Sequence, residues 1–432
     1  NDGEPHRGGT YNLWGFTSIN GGGPLILMDG TPGDINLINP EDVETVTVLK
    51  DAASAAIYGA RASFGVILVT TKRSHSDRPT IRYTSNFGWG RPTRRPEIVE
   101  DPLYAATFIN DAYRGFSGGN APGLPAIIDY LEQRKQDPSL PELGIDPSGN
   151  FINGASIDWY DEFYNERAPY SKNYLSISGS EGRTGYFLSA GYQTQDGLFK
   201  VATDDYKRTT LRLKQDNQTT DWLNIYNNAE FAKGVYDRPN KLVSEGGYSV
   251  YRYLSLYANP WNAIRTTNGN YTLAGMSTLG QLEKGGRSVL DDNMLKNTLG
   301  FRTAFFDNTF RINGDYTYFV RQNRDEVQYN RLEYENRNNN VVEWTNPDYY
   351  ASYFGEDAHQ IINLYTEYER SVKDHHFKAL AGFNQELYTS SSFSARRDGN
   401  LTPELQALNL TTGETVIADN KYEWALRGFF GR

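Results

Sequence analysis

An alternation of apolar and polar residues recurs along most of this chain, and it constrains the fold more than any other feature of the sequence. Side chains two positions apart lie on the same face of a β-strand, so each alternating segment predicts a strand with one apolar and one polar face. The segments are 81–89, 175–178, 186–193, 210–214, 223–231, 310–321 and 377–387, with weaker cases at 298–306, 361–371 and 422–430. We therefore predict about ten strands.

Alternation alone fits a soluble β-sandwich as well as a β-barrel, and the lengths of the connections favour the barrel. Connections after the even-numbered strands are short, at 181–183, 216–220, 307–308 and 373–374. Connections after the odd-numbered strands are longer, at 91–172, 195–205, 234–297, 322–360 and 389–421. A membrane barrel has tight turns at one end and long loops at the other. The 31 Tyr, 21 Phe and 7 Trp suit the aromatic girdles of such a barrel.

The polar face of these strands carries too many charges for a dry core. Its members include Arg212, Lys214, Glu230, Arg311, Asp315 and Arg321. We expect this face to line a wet or plugged lumen, as in barrels of about 22 strands that enclose a plug. Ten strands would leave unpaired backbone groups in lipid. We therefore expect a signal sequence before Asn1 and further strands after Arg432.

Several classes of protein are excluded by composition. The chain has no cysteine, which excludes disulfides, thiolate metal sites and a cysteine nucleophile. It has no run of about 18 apolar residues that could form a transmembrane helix. The net charge of −10 disfavours general binding to nucleic acid. No arrangement of a nucleophile with a base stands out, so we expect no enzymatic activity.

A different pattern precedes the barrel, between residues 24 and 72. Residues 24–28 predict a buried strand that ends at the Asp29-Gly30 turn, and Pro40 opens a single helical turn. A second strand follows at 43–49. Asp51 then caps a short helix at 52–58, Gly59 ends it, and a final strand covers 65–71. The segment is a small α/β element.

These residues resemble the plug of the SusC/RagA family of TonB-dependent transporters. The resemblance covers 24–30, 39–53, 55–62 and 65–72, with a looser match to the first barrel hairpins at 174–198 and 208–223. The matching plug motif includes Asp29, Gly30, Pro40, Glu41, Glu44, Lys50, Asp51, Tyr58, Gly59, Arg61 and Gly65. One departure is Trp14-Gly15, where the family usually has Arg-Gly.

The resemblance implies a transmembrane antiparallel β-barrel, of about 22 strands when complete, with an α/β plug domain inside its lumen. It places the protein in the bacterial outer membrane as an importer of oligosaccharides or peptides. The implied partners are the lipid bilayer, a SusD-like surface lipoprotein, and TonB acting through a segment absent from this chain. We assign residues 1–75 to the plug and 76–432 to the first part of the barrel. A plugged receptor, or a component of a surface assembly that imports nothing, is the alternative.

Two interpretations remain open for the charged residues of the plug motif. Glu44, Lys50, Asp51 and Arg61 either form an ion-pair network in the lumen or serve as ordinary helix caps and solvated charges. Exposed ion pairs contribute only about 0–1 kcal/mol each, so a wet network would let the plug slide.

The long loops carry candidate contact residues. Aromatic side chains there could stack on a substrate, touch the lipoprotein or simply pack the loops; they are Trp14, Trp159, Tyr160, Trp261, Tyr350 and Tyr353. Three acidic pairs could hold Ca²⁺, although solvation of turns explains them equally well; they are Asp204-Asp205, Asp291-Asp292 and Glu356-Asp357. The sequence leaves glycan and peptide substrates equally open.

Overall fold

The computed structural model describes residues 11, 13, 23–50, 64–73, 78–93, 97–240, 250–344, 348–372, 375–402, 404, 405 and 407–431. These residues form a small four-stranded sheet, a ten-stranded antiparallel sheet and a set of loop elements. The small sheet corresponds to the predicted plug, and the large sheet corresponds to the predicted wall.

The plug sheet has four strands in the order β2-β1-β4-β3. They are β1 (Leu25–Met28), β2 (Thr31–Pro32), β3 (Val43–Leu49) and β4 (Val66–Thr71). Strands β1 and β4 are parallel and bury their apolar side chains against each other and the rest of the plug. The predicted strands are confirmed. The predicted helix at 52–58, with Asp51, Tyr58, Gly59 and Arg61, lies outside the described residues.

Local residue chemistry shapes the plug turns. Asp29 and Gly30 have φ angles of 51° and 89°, a left-handed pair that turns β1 tightly into β2 and suits the glycine. A 3₁₀ turn, Pro40–Asp42, follows Asn39, whose side chain accepts a hydrogen bond from the Glu41 amide. Proline fits the first position because its missing N–H would have no partner there. This turn determines where the Asp42 carboxylate points.

Within the described part of the chain, the wall contains ten strands, each antiparallel to its neighbours, in agreement with the predicted number and pattern. In chain order they are β5 (Thr80–Gly90), β8 (Ala168–Glu181), β9 (Thr184–Asp196), β10 (Asp205–Gln218), β11 (Leu223–Pro239), β12 (Arg287–Thr303), β13 (Phe310–Tyr329), β16 (Tyr349–Val372), β17 (His375–Asp398) and β18 (Thr415–Gly431). Each predicted short connection joins two of these neighbours.

Several wall strands are longer than their alternating segments predict. Strands β16 and β17 have 24 residues each, whereas about 9–11 residues suffice to cross a bilayer. Residues predicted as loop at 322–329 and 349–360 therefore belong to β13 and β16. Beyond the bilayer a strand no longer has one face in lipid, so the alternation that reveals it in the sequence fades.

The two faces of the wall have the predicted character. Large apolar side chains are exposed on one face, among them Ile81, Phe87, Trp89, Leu211 and Leu213. The opposite face carries Arg212, Lys214 and Glu230, which are buried against the plug. We call these the lipid face and the lumen face.

The long loops contain their own secondary structure. Between β5 and β8 lie α1 (Pro102–Ser117), α2 (Leu124–Gln136), β6 (Leu143–Ile145), β7 (Phe151–Asn153) and α3 (Trp159–Phe163). Between β11 and β12 lie α4 (Val250–Tyr257), α5 (Leu273–Gly275), a π-helical turn (Met276–Gly280) and α6 (Gln281–Lys284). The hairpin β14 (Leu332–Arg337) and β15 (Asn340–Trp344) follows β13, and a 3₁₀ turn, Leu408–Leu410, precedes β18.

Residues from four loops form one apolar cluster, which we call the loop core. Its buried members are Trp159, Phe163, Phe199, Val250, Leu254, Tyr271, Ala274, Met276, Leu279, Leu282 and Leu332. Among the described helices, none combines the length and the apolar character that crossing a membrane requires.

Candidate functional site at the contact between plug and wall

Arg212 on β10 is the centre of the contact between the plug and the wall. Its side chain is only 2% exposed. The guanidinium Nε lies 3.3 Å from Asp42 Oδ2 in the plug, and Nη2 lies 2.7 Å from Glu230 Oε1 on β11. Nη2 nevertheless forms no directed hydrogen bond, so its attraction to Glu230 is mainly Coulombic.

The Asp42 carboxylate in the plug contacts side chains on three wall strands, β8, β9 and β10. Besides Arg212, its carboxylate accepts hydrogen bonds from the Tyr174 hydroxyl on β8 at 2.9 Å and the Ser189 hydroxyl on β9 at 2.7 Å. The 3₁₀ turn at Pro40–Asp42 holds the carboxylate at this position. A buried carboxylate requires such donors, because water is no longer there to solvate it.

Asp29 is the second plug carboxylate at the wall. It accepts hydrogen bonds from the Thr71 amide at 3.0 Å, the Thr71 hydroxyl at 2.6 Å and Asn228 Nδ2 at 3.0 Å. Lys214 Nζ lies 3.1 Å from Asp29 Oδ2. Burial acts to raise the pKa of Asp29, but the charge of Lys214 and the hydrogen bonds from Thr71 outweigh burial and hold that pKa below its usual value.

Further wall cations bind backbone carbonyl groups of the plug. Lys296 Nζ donates to the Met28 carbonyl at 3.2 Å, and Lys214 Nζ donates to the Thr71 carbonyl at 3.0 Å. Arg208 donates to three consecutive plug carbonyl oxygens, those of residues 36, 37 and 38, at 2.6–2.8 Å. The wall thus binds the plug backbone as well as its side chains.

The network around Arg212 contains equal numbers of carboxylates and cations. Three carboxylates (Asp29, Asp42 and Glu230) lie against three cations (Arg212, Lys214 and Lys296). Desolvation of buried charges offsets much of their attraction, so an intact network adds little net stability, although removing one member costs about 3–5 kcal/mol. A polar cavity lined by Asp29, Lys214, Asn228, Arg302 and Asp315, among others, adjoins the network.

The network around Arg212 is built from residues other than Glu44, Lys50, Asp51 and Arg61, so a network of those four stays a prediction. Glu44 and Lys50 are exposed, and Asp51 and Arg61 lie outside the described residues. Glu41 lies 3.6 Å from Arg82 on β5, a half-exposed pair. The sequence does not distinguish Asp42 from the other carboxylates of the plug motif, because no local pattern pairs one of them with a distant cation. The alternation did identify Arg212, Lys214 and Glu230.

The loop aromatics have diverse environments. Trp159 and Trp261 are buried, and Trp159 Nε1 donates to the Asn259 carbonyl at 2.9 Å, so both rings pack the loops. Tyr350 is also buried, and its hydroxyl donates to Glu326 at 3.1 Å. Tyr160 is half-buried beside Tyr164, and Tyr353 is 43% exposed. Trp14 lies outside the described residues. Direct contact with a substrate or the lipoprotein stays a prediction.

The acidic pairs proposed for Ca²⁺ are bonded to protein groups. Three of the six carboxylates form ion pairs: Asp205 with Lys207, Asp291 with Lys233, and Asp292 with Arg321. The other three accept hydrogen bonds: Asp204 from the Tyr236 hydroxyl, Glu356 from the Gln322 amide, and Asp357 from the Tyr388 hydroxyl. Within the described part of the chain, no three His, Cys, Asp or Glu residues are grouped closely enough to hold a metal ion.

Comparison with known proteins agrees with this architecture. The sequence model of the TonB-dependent receptor plug domain matches residues 1–66. The TonB-dependent receptor SusC of Bacteroides thetaiotaomicron is 29% identical over 247 residues, which cover 54% of this chain and 21% of that protein. The TonB-dependent receptor P3 of Formosa agariphila is 25% identical over 458 residues, covering 100% of this chain and 39% of P3.

A solved structure extends the likeness to the whole described fold. The RagAB peptide importer in its open-open state matches with a TM-score of 0.74 and 20% sequence identity, over 95% of this chain and 46% of the matched one. The chain therefore resembles the SusC/RagA family of TonB-dependent outer-membrane receptors in sequence and in fold. It spans less than half the length of these relatives. The family is not a class of enzymes.

Proposed function

We propose that this chain forms the plug and part of the barrel wall of a TonB-dependent importer. The importer carries oligosaccharides or peptides across the outer membrane, together with a SusD-like lipoprotein that covers its outer end. TonB displaces the plug to open a passage. The likeness to SusC and to the RagAB peptide importer supports this proposal.

The observation that carries the proposal is the polar character of the contact between plug and wall. Import requires a plug that stays seated at rest and can move under load. The Arg212 network and the Arg208 contacts hold the plug with charges and hydrogen bonds. Water can offer the same bonds to each group after displacement, so a polar contact separates at lower net cost than an apolar contact of equal extent.

A reversible crosslink across the contact tests whether the plug must move. Asn39 Nδ2 in the plug lies 3.2 Å from Thr210 Oγ1 on β10. The chain has no cysteine of its own, so Asn39→Cys with Thr210→Cys would introduce its only thiols. A short bifunctional methanethiosulfonate would join the two thiols in the full-length protein in cells, and dithiothreitol would release them.

We expect the crosslink to abolish nutrient uptake and the reductant to restore it. The matched control joins two wall positions, Thr298→Cys and Thr317→Cys, whose hydroxyl oxygens lie 2.8 Å apart in the native chain. This control should leave uptake unchanged. Full uptake with the plug crosslinked would contradict the proposal that the plug must move for import.

The nutrient itself is best found by growth. A strain lacking the full-length gene would be compared with its parent on a panel of single glycans and peptide mixtures. We expect a growth defect on one class of nutrient, rescued by the intact gene. Normal growth on every nutrient in the panel would count against import.

A further inference from the structure

A single row of lumen-facing side chains runs across the wall from the plug contact to the last strand. The strand register places Arg212 opposite Glu230, Glu230 opposite Lys296, and Lys296 opposite Phe319. The row continues through His359, Tyr388 and Trp424, each opposite the one before. Directly opposed residues share a face of the sheet, so the whole row faces the lumen.

This row changes character between its two ends. Its first three members are charged and contact one another or the plug. Its last four members are aromatic, and three of them, His359, Tyr388 and Trp424, contact one another. Aromatic side chains of a membrane barrel belong mainly to the girdles of its lipid face, whereas the lumen face is polar. Neighbouring aromatic rings on the lumen face therefore require a separate explanation.

The three rings form an ordered group, which we call the aromatic platform. The Tyr388 and Trp424 rings have centroids 5.6 Å apart and planes only 22° apart. His359 meets both of them edge-on, at 5.8 Å and 5.6 Å between centroids. Tyr388 and Trp424 are both half-buried, so part of each ring stays exposed on the lumen face. Tyr and Trp lose little side-chain entropy on binding a ligand, because they have few rotatable bonds.

Carboxylates hold the platform in place. The Tyr388 hydroxyl donates to Asp357 Oδ1 at 2.8 Å, and His359 Nε2 lies 3.1 Å from Glu386 Oε2. Glu386 and His359 are both buried. Rings fixed by such supporting hydrogen bonds are preorganised, so a ligand that stacks on them does not have to order them first.

Small polar groups adjoin the platform on the side of the long loops. Ser390, Ser392 and Ser394 continue the lumen-facing positions of β17 beyond Tyr388, and Asn420 and Tyr422 lie opposite Ser392 and Ser390 on β18. These five side chains carry hydroxyl or amide groups and no formal charge, whereas the Asp357 carboxylate, opposite Ser390 on β16, accepts the hydrogen bond of the Tyr388 hydroxyl. It can exchange hydrogen bonds with a ligand rich in hydroxyl groups.

We propose that the aromatic platform and its serine lining form a binding subsite for the sugar rings of a neutral oligosaccharide on the lumen wall. A pyranose ring has apolar C–H faces that stack on aromatic rings, and its equatorial hydroxyl groups match short polar side chains. Sites of this kind combine an aromatic surface with a few placed polar groups. The subsite rests on the proposed import function and assigns it glycans as its substrate class.

Binding by the purified full-length protein in detergent tests this subsite without TonB or an energy source. Isothermal titration calorimetry would use maltoheptaose, cellohexaose, laminarihexaose and xylohexaose as probes, with a tryptic digest of casein as the peptide probe. The variants are Trp424→Ala, Tyr388→Ala and the conservative Trp424→Phe. The matched control is Trp89→Ala, which removes an exposed tryptophan from the lipid face of β5.

We expect the wild type to bind at least one of the four oligosaccharides. Trp424→Ala and Tyr388→Ala should weaken this binding about tenfold or more, whereas Trp424→Phe should stay within about threefold, because a stacking ring is worth roughly one such factor. Trp89→Ala should bind as the wild type does. Equal thermal unfolding midpoints of Trp424→Phe and the wild type would show that the fold is intact.

Three results would overturn the subsite. In the first, the wild type binds none of the oligosaccharides, and in the second, both alanine variants bind them as tightly as the wild type does. In the third, Trp424→Ala weakens binding of the peptide digest and of no oligosaccharide. None of these results would by itself remove the import function, which the crosslink tests separately. Conversely, a crosslinked plug that leaves uptake intact would not change the calorimetry.

Discussion

The contact between plug and wall and the loop core both hold distant parts of the chain together, but through opposite chemistry. At the plug, Asp29 and Asp42 are buried against Arg212 and Lys214. In the loop core, Phe163 and neighbouring apolar side chains are buried against one another. The first contact depends on charge and direction, and the second depends on the apolar area that it removes from water.

This difference indicates which contact is able to separate. Apolar burial stabilises by about 25 cal/mol per Å² and loses that stabilisation when the surface is wetted. A buried ion-pair network has already lost much of its attraction to desolvation, so separating it with all members present costs little. We therefore expect the loops to stay fixed under load and the plug to move. The following substitutions probe this comparison.

The largest effect should come from removing the central cation of the plug contact. Arg212→Met leaves Asp42 and Glu230 buried without their partner, at a cost of about 3–5 kcal/mol. A cysteine introduced at Thr210, buried beneath the plug, would report the change through its rate of reaction with a maleimide. We expect labelling to accelerate about a hundredfold or more.

Arg183→Met provides the control for the Arg212 substitution. Arg183 pairs with Asp221 at an exposed turn, where an ion pair contributes about 0–1 kcal/mol. Its labelling rate should match that of the parent within about fivefold. Equal rates for Arg212→Met and Arg183→Met would show that the network does not seat the plug.

The next effect is expected in the loop core. Leu332 is buried there at the start of β14, and Leu332→Ala should cost about 2–5 kcal/mol through lost burial and the cavity left behind. Limited proteolysis should cut the loops at 250–286 and 330–344 faster, while Thr210→Cys labelling stays unchanged. Val341→Ala on the exposed side of the hairpin is the control. Faster labelling in Leu332→Ala would mean that the two regions are coupled.

A smaller effect should follow from the buried carboxylate that anchors the β14–β15 hairpin. Glu335 is 1% exposed and accepts hydrogen bonds from Thr266, Asn268, Asn270 and the Asn339 amide. A glutamine cannot accept all four, so Glu335→Gln should loosen the hairpin by about 1–3 kcal/mol. Hairpin proteolysis measures this, with the exposed Glu333→Gln as the control. Equal cutting of the two variants would refute it.

The same carboxylate should make the hairpin sensitive to acid. Burial acts to raise the pKa of Glu335, but hydrogen bonds from Thr266, Asn270 and Asn268 outweigh burial and lower it below its usual 4.5. Its stabilisation is complete above that ordinary value and is lost as pH falls through the lowered pKa. Proteolysis by pepsin across this range should rise more steeply in the parent than in Glu335→Gln. Parallel pH profiles would contradict this.

The smallest effect should come from a single hydrogen bond at the plug. Tyr174→Phe removes one donor to Asp42 and leaves Ser189 and Arg212 in place, which should cost about 1 kcal/mol and speed Thr210→Cys labelling about fivefold. Tyr83→Phe, which removes a hydroxyl bonded to Asn173 on the exposed face, should have no such effect. If Thr210→Cys were labelled faster in Tyr174→Phe than in Arg212→Met, the Tyr174 hydrogen bond would hold the plug more strongly than the Arg212 ion pairs, which contradicts the expected order.

The sequence predicted the wall better than it predicted the contact. Period-2 alternation is local, so residues such as Leu211 and Arg212 reveal their opposite faces without knowledge of any partner. Asp42 and Arg212 are 170 residues apart, and no local pattern pairs them. The loop core escaped prediction for the same reason, because Trp159 and Met276 meet only after the strands have brought their loops together.

Single-molecule pulling on the full-length protein in a membrane compares the two regions most directly. The force would be applied through a cysteine at Gly23, just before β1, or through a cysteine at Leu256 on α4, which is 51% exposed and belongs to the helix that carries Val250 and Leu254 of the loop core. We expect the plug to leave the wall at a lower force than unfolds the loops, and Arg212→Met to lower only the plug force. Two results would contradict a movable plug that is held by charge: a plug rupture force as high as the force that unfolds the loops, or a plug rupture force that Arg212→Met does not change.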